Sequence, residues 1–525
     1  MRLTGPYRAA LATSLAAAVL ASVACSPTSS GDGFDAHAEV DAGVDLGVDA
    51  EVIVQTRGDL GSAAAAVRAA GGRVTDVLAI VDGVAARVPR GSLARLRASP
   101  GVVAVTPNAV VGTTSDDGPR DPSERAVAGA THVLATGVGA LHARGLTGAH
   151  RGSAPTRVAL LDTGVDTEAA DHGDLQGRVL AVKDPFAARS RGSALVPCVN
   201  LSDEQTCDDG YGHGTFMAGL IAGSGRASGG AFTGTAPGAD LISVKVAGRT
   251  GQTDVRRILK GLQWVVSFRD RYDIGILNLS LGAVGTKDHR LDPVNRAVQR
   301  VWNAGIVVVA SAGNGGVPAD GVTSTITKPG SSPLVLTVGA TDDLGTADVA
   351  DDVVAAYSSR GAPGSSKPDI VAPGTHLVSL RAVGSTTDAL GTLLDGTYRQ
   401  GSGTSMSTAV VSGVVALLRQ AEPSWTPDQV KAALRESARP VAQGDPSSVG
   451  QGQLDASAAL SVPPSTEAQP RTVRNGGRTP DEARTGDDWT GDDWTGDDWT
   501  GDDWTGDDWT GETWTGNEAA DSGGR

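Results

Sequence analysis

The chain has 525 residues, enough for one large domain and smaller pieces, with a net charge of −16 that falls unevenly. Residues 462–525 alone carry −11, whereas residues 51–112 carry +3 and residues 113–461 carry −4. No stretch gathers the basic residues that nucleic-acid binding needs, and no segment after the N-terminus is long and apolar enough to span a bilayer.

Arg2 and Arg8 precede an apolar run, Ala9 to Ala24, that ends in small residues. Short for a membrane span, it reads as an export signal over residues 1–24. Ala24-Cys25 also fits a lipoprotein cleavage site, and a lipid on Cys25 is the one membrane attachment the sequence offers. Ser22 stands where such sites usually carry Leu, Val or Ile, so ordinary cleavage after Ala24 stays open. Either way the chain reads as secreted or as a cell-surface lipoprotein. If Cys25 is lipidated, Cys198 and Cys207 form an even pair closing a short loop, as an oxidising compartment permits. Metal ligation is the alternative, but no His or third Cys lies beside them.

Residues 25–50 form an acidic spacer rich in Ser, Gly, Asp and Ala. Residues 51–112 read as a small domain. Glu51–Thr56 alternates as a strand, and Leu60–Ala70 is an alanine-rich helix stopped by Gly71-Gly72. Val74–Val81 and Val84–Val88 flank Asp82-Gly83 as a hairpin. Ser92 is placed to cap a helix over Leu93–Ala98, and Val102–Thr106 is a last strand. The order βαββαβ predicts an open sandwich, which by itself says little about function.

From Arg157 strands alternate with helices, which predicts a parallel sheet covered on both faces. Strands are expected at Arg157–Leu161, Leu241–Val246, Ile274–Leu279, Gly305–Ala310 and Val335–Val338. Helices are expected at Gly214–Ala222, Thr253–Phe268, Pro293–Asn303 and after Ser405. Sites form at the carboxyl ends of such strands, and polar residues cluster there. Asp162 ends the first strand, His213 sits among glycines at a helix start, and Asn314 follows Gly313 at another strand end. Each alone has a plain structural role as a turn or cap residue. Ser405 follows Gly401-Ser402-Gly403-Thr404 and opens an uncharged run, Ala409 to Leu418, that reads as a buried helix. Alone it is an N-cap serine. Together the four supply an acid, a base, an amide donor and a hydroxyl on one rim, as nucleophilic catalysis requires.

Asp162-Thr163-Gly164, Gly212-His213-Gly214-Thr215 and Gly403-Thr404-Ser405-Met406 resemble, in that order, the signature blocks of the subtilisin-like serine proteases. Leu277-Asn278-Leu279-Ser280-Leu281-Gly282, Gly313-Asn314 and Lys367-Pro368-Asp369-Ile370-Val371-Ala372-Pro373-Gly374 extend the resemblance, which runs roughly from Leu141 to Leu460. Residues 51–111 resemble the family's inhibitory propeptide. The resemblance implies a doubly wound, mainly parallel α/β sheet between helix layers over residues 113–461. It makes Asp162 the group orienting His213, His213 the general base and then acid, and Ser405 the nucleophile. The Asn314 amide would join the Ser405 N–H as oxyanion donors. Ser280, Leu281 and Gly282 would line the primary specificity pocket and pair with the substrate backbone. Substrates would be proteins or peptides, the propeptide an intramolecular inhibitor, and no cofactor would be required. Self-cleavage would fall in Asn108–Ala130, a Thr-, Ser-, Asp-, Gly- and Pro-rich stretch that reads as an accessible connector.

Some positions depart from the family pattern. Ser407-Thr408-Ala409-Val410 stands where Ala-Ala-Pro-His is frequent, so the helix start is expected to pack differently. Asp174 matches a calcium ligand of some members, but Ser224–Phe232, the loop that should complete that site, lacks Asn and Asp, so structural calcium is not supported. Gly248–Gln252, at the edge of the substrate cleft, is shortened. Finally Thr485-Gly486-Asp487-Asp488-Trp489 opens a five-residue repeat that runs to Trp509 and closes at Trp514. A five-residue period makes no Trp stripe on a helix and alternates faces on a strand, so residues 462–525 read as a disordered acidic tail. It is either a solubilising segment or a multivalent aromatic contact. Two other classes therefore remain beside the endopeptidase: an inactive protease fold kept for binding, and a surface adhesive protein acting through the tail. The complete set of four polar residues argues against the first.

Overall fold

The computed structural model describes residues 49–461, apart from Gly58, 115–130, Ser153, 167–172, 187–194, 284–291, Ala319, Ala347, 390–391 and Gln443. The expected signal, most of the spacer and the tail lie outside the described residues.

Residues 49–107 form the expected βαββαβ unit: β1 (Asp49–Thr56), α1 (Leu60–Ala69), β2 (Arg73–Leu78), β3 (Gly83–Pro89), α2 (Leu93–Arg97) and β4 (Val102–Pro107). The sheet is antiparallel in the order β2-β3-β1-β4. Strand side chains alternate between faces. Val52, Val54, Val84, Ala86 and Val88 pack on Ala63, Ala66, Val67, Leu93 and Leu96 of the two helices. Ile53 and Ala85, on the other face, join Leu78, Ile80 and Val81 in the core of the large domain. Two expectations fail here. The strand expected to run to Val81 stops at Leu78, and Ala79–Val81 wind a 3₁₀ turn ending at Asp82, which has φ 50°. A straight strand would send Ile80 and Val81 to opposite faces, whereas the turn buries both. Nor does the Ser92 side chain cap α2. Ser92 ends a 3₁₀ turn, and its hydroxyl accepts from Arg95 instead.

The large domain follows strand–helix alternation. Its short leading helices, α3 (Thr131–Ala135) and α4 (Val138–Ala143), were not foreseen. Then come β6 (Arg157–Asp162), β7 (Cys198–Asn200), α5 (His213–Ala222), β8 (Leu241–Lys245), β9 (Gln252–Asp254), α6 (Val255–Phe268), β10 (Ile274–Leu279), β11 (Leu281–Gly282) and α7 (Pro293–Asn303). They are followed by β12 (Val307–Ser311), β13 (Leu336–Asp342), β14 (Val353–Val354), β15 (Ile370–Pro373) and α8 (Thr404–Ala421). The chain closes on α9 (Pro427–Glu436) and α10 (Ala456–Ala459). The main sheet is ordered β14-β13-β12-β10-β6-β8-β7, with β15 also on β13, and every pairing but β13/β14 is parallel. This is the expected doubly wound arrangement.

Boundaries moved for local reasons. Gly305, with φ 87°, completes the turn after α7, so β12 begins two residues later than the pattern suggested. Asp254 stays extended and accepts from Arg257 N–H, so α6 starts after it. Asp292 caps α7 through Val294 and Asn295, ahead of Pro293 at the first turn, and that helix has its expected span. Cys198 and Cys207 form a disulfide. No helix among the described residues is long and apolar enough to cross a membrane.

Just past the β13/β14 ladder, where Asp342 faces Val353, Asp343 and Asp352 are both buried. Asp352 accepts from Gln453 through one oxygen. Burial, and then the charges of Asp343 and Asp351, push the Asp352 carboxyl up to about 7. The unfolded chain releases that proton near 4, so between those values the native state binds more protons and stability falls as pH rises. Asp352→Asn keeps an acceptor for Gln453 and removes the titration. Its Tm relative to wild type should climb from pH 4 to about 7 and level off above. Thermal unfolding across that range checks this, and curves that stay parallel would contradict it.

Candidate active site

Asp162 is the last residue of β6, and His213 opens α5. The two elements meet because Gly214 lies against the Gly164 carbonyl, which a Cβ at Gly214 would approach to 2.1 Å. His213 Nδ1 is 2.7 Å from Asp162 Oδ1, which also accepts from Thr163 N–H at 2.8 Å. A carboxylate there holds the ring proton on Nδ1 and leaves Nε2 to act as a base. Both residues are buried.

A second carboxylate organises the pair. Asp209 accepts from the Thr163 hydroxyl at 2.7 Å, from Gly212 N–H at 2.7 Å and from Thr215 N–H at 2.7 Å. The Thr163 hydroxyl in turn accepts from Gly214 N–H at 2.9 Å. Asp209 thus satisfies the start of α5 and ties it to the end of β6. The sequence reading passed over it, although an Asp ahead of a helix start is a capping signal.

Ser405 lies in the first turn of α8, whose N-cap, Gly403, has φ 148° and no side chain to offer. Helices α5 and α8 pack together. Asn314, three residues past β12, accepts through Oδ1 from the Thr404 N–H at 3.1 Å and hydroxyl at 2.9 Å. With its oxygen so engaged, the amide nitrogen points the other way.

That nitrogen donates at 2.8 Å to the carbonyl of Thr114. Ser405 N–H reaches the same oxygen at 3.4 Å, and Ser405 Oγ lies 2.8 Å from Thr114 Oγ1. Thr114 follows β5 (Val110–Thr113), which runs antiparallel between β9 and β11. Val111 faces Thr253, Gly112 faces Gln252 and Gly282, and Thr113 faces Leu281. Ser280 extends the pairing, its carbonyl accepting from Thr114 N–H at 3.2 Å. A Cβ at Gly282 would come within 2.8 Å of Thr114 Cγ2, so a side chain there would displace Thr114. Ser405, Asn314, Ser280, Leu281 and Gly282 therefore converge on one segment of the chain itself.

Within the expected connector Val111 and Thr114 are buried, whereas Val110 is exposed. Val110, Val111, Thr113 and Thr114 are β-branched, a strand signal, but the two strands flanking β5 lie far off in sequence and could not be anticipated from it. Residues 115–130 lie outside the described residues.

The surroundings of Asp174 do not fit calcium. Its Oδ1 accepts from Ala227 N–H at 2.9 Å and its Oδ2 from the Tyr398 hydroxyl. Both oxygens thus face protons, and the neighbouring loop adds only the Ser224 hydroxyl at 3.4 Å, with Arg226 donating to Gln176 at 3.0 Å.

Replacing Asp209 by Ala would strand the buried N–H groups of Gly212 and Thr215 and leave the Thr163 hydroxyl only its longer bond to Asp162, 3.3 Å. Asp209→Ala should lose about 3 kcal/mol of stability, read as a lower denaturant midpoint at unchanged slope. An unaltered midpoint would remove Asp209 from this role.

The Subtilase family model matches residues 153–456. Serine protease AprX of Bacillus subtilis (strain 168) is 40% identical over 308 residues, which cover 57% of this chain and 64% of that protein. Subtilisin E of the same organism is 33% identical, over 57% of this chain and 63% of its own length. The chain thus spans just under two thirds of these relatives. Subtilisin BL of Lederbergia lenta is 33% identical over 320 residues, 94% of its length and 61% of this chain. Among solved structures, fervidolysin from Fervidobacterium pennivorans, described as a keratinolytic enzyme related to subtilisin, shares the fold. It has a TM-score of 0.60 and 24% identity, covering 80% of this chain and 62% of that one. From the order of its motifs, its fold and these matches, the chain belongs to the subtilase family.

Proposed function

We propose that the chain is the precursor of an exported serine endopeptidase whose first substrate is its own Thr114–Ser115 bond. The observation that carries this reading is the Thr114 carbonyl, held by the Asn314 amide and the Ser405 N–H at a helix N-terminus. Those are the donors an oxyanion needs, aimed at a peptide carbonyl beside a serine hydroxyl.

The chemistry follows from the residues. Ser405 Oγ attacks the Thr114 carbonyl carbon while His213 Nε2 takes the hydroxyl proton. Asp162, on Nδ1, holds the ring in register and stabilises the imidazolium. As the tetrahedral intermediate collapses, the bond to the Ser115 nitrogen breaks and His213 returns the proton to the new amine. Water, deprotonated by His213, then releases the Thr114 carboxylate from Ser405. Later substrates, proteins or peptides, would lie where β5 lies, paired with Leu281 and Gly282 and with the Ser280 carbonyl. Residues 51–112 act as the inhibitory propeptide, because together with Thr113 and Thr114 they cover the cleft until they leave. The scheme asks for no metal or cofactor. Export is supported by the Cys198–Cys207 disulfide, with Cys25 the site of a lipid if the product stays on the cell surface.

Wild-type protein should yield a mature chain beginning at Ser115, whereas Ser405→Ala should remain uncut and lose about a millionfold in kcat, the loss known for subtilisin itself. N-terminal sequencing and intact mass of both, from a host lacking other proteases, test this. Trimming of Ser405→Ala at the same bond would overturn self-cleavage.

Asn314→Leu should lower kcat by about 10²–10³ with KM nearly unchanged, because the amide acts chiefly once the oxyanion forms. Steady-state kinetics on a peptide substrate decide it, and an effect confined to KM would contradict the role.

A further inference from the structure

We propose that, once the N-terminal domain leaves, the cationic face of α6 and α7 beneath it takes up the Asp-Asp-Trp units of the chain's own C-terminal tail. This rests on the maturation reading above.

Residues spaced three and four apart on a helix share a face. On α6 these are Arg256, Lys260 and Gln263; on α7 they are Arg296 and Arg300. The precursor shows what this face binds. Asp76 accepts from Arg256 at 2.9 Å and Lys260 at 2.6 Å, and Asp82 pairs with both Arg296 and Arg300. Between the two carboxylates Ile80 and Val81 are buried, with Ile80 N–H on Gln263 Oε1 at 3.2 Å and Arg300 on the Ala79 carbonyl at 2.8 Å. The recognised pattern is therefore acid, bulky apolar side chain, acid.

Departure of the N-terminal domain removes both carboxylates and uncovers apolar ground at the same moment. Asp254, 3.8 Å from Arg256, stays, but Arg256, Lys260, Arg296 and Arg300 all lose a partner that lay on them. Exposed apolar ground rimmed by charge is a binding surface.

The tail repeats the same chemistry. Residues 485–509 hold five Asp-Asp-Trp units in a segment, 462–525, of net charge −11. It also starts close by. The described chain ends at Ser461, just past α10. Helix α10 packs against α9, and α9 is joined to α7 by Trp302 Nε1, which donates to Asp428 at 2.8 Å. Between Ser461 and the first repeat lie the 23 residues from 462 to 484; a flexible linker of that length would reach roughly 25 Å root-mean-square, about two helix diameters. A tether of that length gives a local concentration of about millimolar, and five units multiply the chance of engagement. Each Trp would cover the ground that Ile80 covers in the precursor, with its two Asp residues on the arginines and Lys260.

Carbodiimide coupling of carboxylates to amines tests this, because Lys260 lies on the face. In the matured full-length wild type, Lys260 should couple to an aspartate between Asp487 and Asp508 of the same chain. In the uncut Ser405→Ala precursor it should couple to Asp76. A full-length chain with Trp489, Trp494, Trp499, Trp504 and Trp509 all changed to Ala, which leaves the folded body untouched, should lose the tail coupling about tenfold. Mature protein with no Lys260–tail coupling, or coupling indifferent to loss of the tryptophans, overturns this inference and leaves the maturation reading standing. Coupling found only in covalent dimers overturns it in favour of a second copy's tail. An uncut wild type that still couples Lys260 to Asp76 overturns both.

Discussion

The structure turns on a helix that is buried from its first residue. All of Thr404 to Arg419 is buried, and the residue ahead of it is a glycine without a side chain to cap it. The first N–H groups of a helix have no partner within it, and a dry environment offers none. Something outside the helix must accept from them. Asn314 Oδ1 serves Thr404, and the Thr114 carbonyl serves Ser405. The vacancy that would otherwise weaken the fold is filled by a carbonyl oxygen of the chain itself.

Holding that helix end against the sheet takes small residues and hydroxyls. The Ser407 hydroxyl donates to Ala372 O, Thr408 to Thr404 O and Ser412 to Asn278 Oδ1. Asn278 then donates to Ser280 Oγ, which fixes the strand beside Thr114. A residue at the Ser407 or Thr408 position without a hydroxyl would leave no buried group stranded, because each hydroxyl donates to a carbonyl already used by the backbone. Ser412 and Asn278 differ, since each satisfies the other in the core.

Much of this was legible beforehand. The alternation of apolar runs after Arg157 marked the strands, and the polar residues at their carboxyl ends marked the rim, because parallel strands buried on both faces have few other places for them. The span Pro293–Asn303 was read as α7, and its start is set locally by Asp292 and Pro293. What could not be read were pairings between distant segments. Val110–Thr113 had strand-forming residues but no visible partner. Asp209 looked like one more loop carboxylate until Thr163, Gly212 and Thr215 came round it. Ala79–Val81 continued a strand pattern, and only the groove between α6 and α7 explains why the chain turns there.

The N-terminal sheet gives one face to its own helices and the other to the large domain. The two parts of the chain therefore cannot drift independently over evolutionary time. A change at Arg296 or Arg300 is constrained by Asp82, more than 200 positions away, and a change at Ile53 is constrained by a core that it shares with β-strands of another domain. Substitutions along this boundary have to be matched in pairs, and a transplanted N-terminal domain from a relative would fit only where both halves of each pair travelled together.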